Sequence, residues 1–244
     1  MNHQTIMHHT YHILLRLAFT LVVTVVMTGC KQHIDIQGTS SIPELEGRTL
    51  YLRVYRDGDL QTIDSASVTH GKFAFSGPEQ DTTCMVFLFL EEQSVMPFVL
   101  ERETPLTMTL DENENKVEGS ALNDTLFAFI HRKAMLDEQL EALPRRESRM
   151  ILDGYDHEEI LQQLRQEAVI LNAREDELIT RFIKDNMDNI LAPGIFMVVT
   201  SNVPPMLTPQ IEELITLASP QFLSDAYVQE FMRIARENME KINE

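Results

Sequence analysis

Two periodicities divide the chain. Between His33 and Gly119, apolar and polar residues alternate in short runs, and six of the nine glycines, at 38, 47, 58, 71, 77 and 119, punctuate them. Period-two alternation bounded by glycine predicts strands. The runs are HIDIQG, RTLYLRVY, LQTIDSASV, KFAFSG, TTCMVFLFL, VMPFVLE, LTMTL and KVEGS. In KFAFSG, Phe73 and Phe75 fall on one face and Lys72, Ala74 and Ser76 on the other. Arg56-Asp57-Gly58-Asp59 and Thr69-His70-Gly71-Lys72 carry turn chemistry, glycine supplying the positive φ of a tight hairpin. Seven or eight such strands in about ninety residues predict an antiparallel β-sandwich.

From Ala121 the apolar spacing becomes helical. Leu122, Leu126, Phe129, Ile130, Leu136, Leu140 and Leu143 form one stripe after Gly119-Ser120, and Pro144 is expected to end or kink that helix. A second helix, from about His157 to Met187, carries Ile160, Leu164, Ala168, Leu171, Leu178 and Phe182. Two stripes joined through Asp153-Gly154 predict an antiparallel helical hairpin. Ile190 to Val199 reads as a buried apolar segment. Beyond the break at Val203-Pro204-Pro205, helices are expected over Pro209 to Ala218 and from about Asp225 to Lys241. The expected class is α+β, an antiparallel β-sandwich followed by an all-α region containing the long hairpin.

The first 29 residues are a separate object. They contain no acid and a single formal base, Arg16, followed by the apolar run Leu17 to Met27 and then Thr28-Gly29-Cys30. This is the order of a secretory signal. The run is too short to span a bilayer, which takes about 20 residues; a start at Met7 gives a signal of compact length. Met27-Thr28-Gly29-Cys30 resembles the bacterial lipobox, which makes Cys30 the lipid attachment site, with Met27 where leucine is usual. The domain boundaries expected are 1–29 signal peptide, 30–120 β-sandwich and 121–244 helical domain. Several acyl chains on Cys30 would tether the protein stably to a membrane. Lys31 and Gln32 do not form an acidic export signal, so the expected location is the outer membrane facing the periplasm.

The whole chain of 244 residues carries a net charge of −18, and everything from Cys30 onward carries −19, shared as −9 and −10 between residues 31–120 and 121–244. That balance opposes nucleic acid as a partner, because polyphosphate binding needs a basic face. Two cysteines supply neither a disulfide scaffold nor an iron–sulfur cluster. With Cys30 lipidated, Cys84 is left as a single thiol within TTCMVFLFL, where it is expected to fill a core position.

The order of motifs resembles the domain of unknown function 4369 family, found in lipoproteins of Bacteroidetes-type bacteria. The residues that carry the resemblance are Ile36-Gln37-Gly38, Leu50-Tyr51-Leu52, Ile63-Asp64-Ser65-Ala66 with Val68, and Gly71-Lys72-Phe73-Ala74-Phe75-Ser76-Gly77. The helical half is similar to the region that follows this domain in many of those proteins, through Gly119-Ser120-Ala121-Leu122-Asn123-Asp124, Phe182-Ile183-Lys184-Asp185-Asn186 with Asn189, and Leu217-Ala218-Ser219-Pro220. In that family the arrangement often precedes a thioredoxin-like thiol–disulfide oxidoreductase domain with W-C-x-x-C. This chain has no Trp and no C-x-x-C, so the resemblance implies the accessory part without that domain.

No residue pattern points to catalysis. The acids Asp111-Glu112-Asn113-Glu114, Asp153 with Asp156, Glu158 and Glu159, and Glu175-Asp176-Glu177 lack calcium-loop spacing. They read as a hairpin turn, a helix cap at Asp156 and an exposed helix face. His33, His70, His131 and His157 are isolated, whereas zinc needs convergence. There is no G-x-S-x-G and no glycine-rich phosphate loop, and Ser65 beside Asp64 has no neighbouring base. No cofactor or metal is implied. The function read here is a non-enzymatic, membrane-anchored accessory or interaction module with an envelope protein partner. Two alternatives stand beside it: a helper of a separate thioredoxin-like oxidoreductase, and a small-ligand or glycan binder using a cleft between the two halves.

Overall fold

The computed structural model describes residues 35–77, 82–201 and 203–243. Among these residues the alternating runs become eight strands: β1 Ile36–Ser40, β2 Thr49–Arg56, β3 Asp59–Ser67, β4 Lys72–Phe75, β5 Cys84–Leu90, β6 Gln93–Leu100, β7 Leu106–Leu110 and β8 Asn115–Glu118. They form two four-stranded sheets, ordered β4-β1-β7-β8 and β3-β2-β5-β6. All ladders are antiparallel except β1 with β7, which is parallel from Ile36↔Leu106 to Ser40↔Leu110. That pair departs from the purely antiparallel expectation. Parallel neighbours need a crossover rather than a hairpin, and here the crossover contains the whole second sheet together with β4.

The two sheets close on one core. Ile36, Phe73, Phe75, Leu106 and Met108 from the first meet Leu50, Leu52, Val54, Leu88 and Phe98 from the second. Gly38 lies opposite Phe73 on β4, and a Cβ at Gly38 would stand 2.1 Å from the Phe73 ring, so the aromatic occupies the space a side chain would need. The β2–β3 turn places Asp57 and Gly58 at φ 53° and 86°, the paired left-handed residues of a type I′ hairpin.

β5 is buried on both faces, which is why its sequence is a continuous apolar run and not an alternating one. Val86 and Leu88 point into the sandwich, whereas Met85, Phe87 and Phe89 point outward into a second core built with the helices. Those helices are α1 Ala121–Leu152, α2 His157–Asp185, α3 Leu191–Thr200, α4 Pro209–Thr216, α5 Pro220–Leu223 and α6 Ala226–Asn243. Nearly all of α3 is buried, and Phe196 at its centre meets Phe222 and Phe231 edge to face. The helices thus make a third layer over the outer face of sheet β3-β2-β5-β6.

α1 is fixed at its first turn. Ser120 caps it by accepting a hydrogen bond from the Asn123 amide. Asn123, fully buried, then behaves like one residue of an added strand: its Oδ1 accepts from the Val99 amide and its Nδ2 donates to the Val99 carbonyl, both at 2.8 Å. Val99 lies on β6, an edge strand, so this pair of bonds closes part of an otherwise open edge.

α1 does not end at Pro144. It continues to Leu152, with the Ser148 hydroxyl donating to the Pro144 carbonyl. Pro144 is itself exposed, and it removes the amide that would have bonded the Leu140 carbonyl. Gly154, at φ 84°, turns the chain into α2, whose N-cap Asp156 accepts from the Glu158 and Glu159 amides. The hairpin keeps a small core of its own, Leu143, Ile160, Leu164 and Leu171. Nearer the body, Lys133 on α1 bridges Asp137 and Glu175, each at 2.8 Å. Burial alone would lower the Lys133 pKa, but these two carboxylates outweigh it and hold it raised. Glu175 is therefore a tie between the helices, unlike its exposed neighbours Asp176 and Glu177.

Replacing Asn123 by Ala leaves a buried amide and a buried carbonyl of Val99 unpaired, for an expected loss of about 2–5 kcal/mol in urea unfolding. A midpoint indistinguishable from wild type would show that the edge is satisfied some other way. Pro144→Ala restores one hydrogen bond in an exposed helix interior and is expected to raise stability by about 1–3 kcal/mol, read as a higher melting temperature.

Candidate functional site

Where the helical layer meets the outer face of sheet β3-β2-β5-β6, a cleft of about 450 Å³ remains. Its sheet wall is made by Tyr55, Phe87 and Phe89, and its helix wall by Met197 and Val198 of α3 and Tyr227 of α6. The alternation of β2 explains the first wall. Leu50, Leu52 and Val54 fill the sandwich core, so Tyr51, Arg53 and Tyr55 must emerge on the other side.

Tyr55 and Tyr227 meet edge to face, with ring centroids 5.2 Å apart. The Tyr227 hydroxyl lies 3.0 Å from Thr200 Oγ1. Burial raises the pKa of both phenols, and at Tyr55 the carboxylates of Glu230, Asp225 and Asp59 add to the shift. Asp225 caps α6 by accepting from the Tyr227 and Val228 amides; burial nonetheless raises its carboxyl pKa.

The charged residues lining the cleft are Asp59 and Glu92. Glu92 is engaged by Arg53, whose Nη1 and Nη2 donate to its two oxygens at 2.9 Å. The same guanidinium lies 4.4 Å from the centroid of Phe89, a cation–π contact that orients the back of the aromatic wall. Asp59 is exposed at the start of β3. A cleft between the strand and helix regions, lined with aromatic residues, is the feature expected of the small-ligand alternative. The residues that form it escaped the sequence reading, because Tyr55, Phe89 and Tyr227 come from three elements that only the fold brings together. The one available signal was that Tyr51 and Tyr55 occupy the polar phase of β2, where solvent-facing residues would otherwise stand.

The residues weighed for catalysis, metal binding or thiol chemistry in the sequence lie apart from this cleft. Cys84 opens β5 on its inward side, half-buried, and burial pushes its thiol up to about 11. A thiol so placed is almost wholly protonated at neutral pH. Asp111 closes the β7–β8 turn by accepting from the Asn113 and Glu114 amides. Asp64 accepts from the amides of Ser76 and Gly77, tying the end of β4 to β3, and Ser65 beside it is exposed. His70 sits in the turn before β4, where its amide and that of Gly71 donate to Glu46. His131 and His157 are exposed on α1 and at the start of α2. Among the described residues no group of three or more His, Cys, Asp and Glu converges as a metal site, and no helix is long and apolar enough to cross a membrane. Cys30, His33 and the whole of segment 1–29 lie outside the described residues.

Residues 34–126 match the model of the family described as "Domain of unknown function (DUF4369)", the family that the motifs resemble. The match runs beyond β8 into α1 and so includes Ser120, Asn123 and Leu126. No curated protein and no solved structure matches the chain.

The position of Cys84 has a direct chemical consequence. In the folded protein its reaction with a disulfide reagent such as DTNB at pH 7.5 is expected to be at least about a hundredfold slower than in denaturant, since reaction needs the thiolate. Equal rates in the two conditions would place the thiol at an accessible surface.

Proposed function

We propose that this chain, with its DUF4369 match over residues 34–126, is a lipid-anchored envelope lipoprotein that acts as a non-enzymatic interaction module. The observation that carries the reading is Met27-Thr28-Gly29-Cys30 directly after the apolar run Leu17 to Met27. Export and cleavage would leave Cys30 as an acylated N-terminus five residues ahead of Asp35, where the described fold begins. The charge of −19 on the exported part supports the same reading, because it keeps a tethered domain soluble and off anionic headgroups. The location proposed is the outer membrane, with the domain facing the periplasm.

A second reading is favoured by the aromatic cleft: the module binds a small ligand or a partner's side chain there. A thiol-exchanging helper of a thioredoxin-like protein is disfavoured by the pKa of about 11 at Cys84. A thioredoxin-like protein would then be a partner by contact alone.

Growth with an alkyne-tagged fatty acid tests the anchor. The wild-type chain is expected to take up the label and sediment with outer membranes, while Cys30→Ala remains unlabelled and loses membrane association. Label on the alanine variant, or a soluble and unlabelled wild type, overturns the proposal.

A further inference from the structure

The geometry points to the cleft between Tyr55, Phe89 and Tyr227 as a binding site for an organic cation, an ammonium or guanidinium head carried on an apolar body. The inference deepens the binding reading of that cleft and is independent of the lipid at Cys30.

Three observations converge. The walls are aromatic and aliphatic on both sides, Tyr55, Phe87 and Phe89 facing Met197, Val198 and Tyr227, and the volume of about 450 Å³ suits a ligand of small-molecule or side-chain size. Aromatic faces are electron-rich, so they attract cations and not anions. The charged lining is wholly acidic, Asp59 and Glu92, and Asp225 and Glu230 lie close enough to Tyr55 to act on its hydroxyl.

The bases nearby stand against acids, Arg56 opposite Asp59 in the β2–β3 ladder among them. Arg53 is held by Glu92 and lies over Phe89, and Arg233 pairs with Glu230 and Glu237. An anion entering the cleft would therefore meet carboxylates and quadrupoles of the wrong sign. A cation would meet Asp59 at the mouth and the Tyr55–Tyr227 pair within. Two sources share this chemistry, a free amine and a lysine or arginine side chain presented by a partner protein.

The test uses the full chain in a non-ionic detergent, with three probes that share one aryl body: phenethylammonium, phenethyl alcohol and 3-phenylpropionate. Binding is read by ligand-observed NMR and by tyrosine fluorescence, which is available because the chain has no Trp. The ammonium is expected to bind about tenfold more tightly than the alcohol, and the carboxylate not at all. Asp59→Asn, which keeps an oxygen for the Leu60 amide, is expected to weaken the ammonium at least about fivefold with the fold retained by circular dichroism, and Tyr55→Leu to weaken it further. A peptide, acetyl-Leu-Lys-Phe-amide, separates the sources: tighter binding than the free amine points to a partner's side chain, weaker binding to a small amine. Equal binding of the three aryl probes, preference for the carboxylate, or ammonium binding insensitive to Asp59→Asn overturns the site. None of these results bears on fatty-acid labelling at Cys30, so the two proposals fail separately.

Discussion

The pairing of Asn123 with Val99 is the contact on which the arrangement of layers depends. Sheet β3-β2-β5-β6 ends at β6, whose outer edge would otherwise expose backbone donors and acceptors. By offering one amide oxygen and one amide nitrogen to the same residue, Asn123 imitates a neighbouring strand while belonging to a helix. That fixes where α1 starts and hence which side of the sheet the helices cover. A hydrophobic residue at 123 could fill the volume but would leave the Val99 groups unpaired at a cost comparable to a large core truncation.

From that origin the helical layer follows. Leu126 and Phe129, the next inward residues of α1, enter the core that already holds Met85, Phe87, Phe89 and Val99. α2 joins it through Ile179 and Ile183, and α3 lies deepest. Gly194 of α3 marks how close the approach is, since a Cβ there would stand 2.2 Å from the Met85 side chain. The aromatic cleft is the place where this otherwise dense seam between sheet and helices stays open.

Much of this was legible in the residues. The strands and the two long helices follow directly from alternation and from the 3.6-residue stripe, because both patterns report which side of an element is buried. Asp156 as a cap and Asp111 in a turn were legible for the same reason, since their chemistry is local. The parallel pairing of β1 with β7 was not, because strand partners distant in sequence leave no periodic trace. Pro144 was expected to end or kink α1, and the helix does not end there but runs on to Leu152, carried by packing on both sides of the proline. Asn123 showed itself only as part of a motif, and its role needs Val99, 24 residues earlier. The cleft draws on β2, β3, β5, β6, α3 and α6, and nothing in any one of those segments announces the others.

The two-sided burial of β5 also sets an order of events. Its inward face is completed by neighbours within the first half of the chain, but its outward face waits for Phe196, Phe222 and Phe231, which arrive roughly a hundred residues or more after Phe89. Contacts so distant in sequence form slowly, and until they form the chain presents a row of large apolar side chains on a sheet. A chain synthesised or exported from its N-terminus must carry that uncovered face until its last helices emerge. The interval is a window in which a holding chaperone has something to grip.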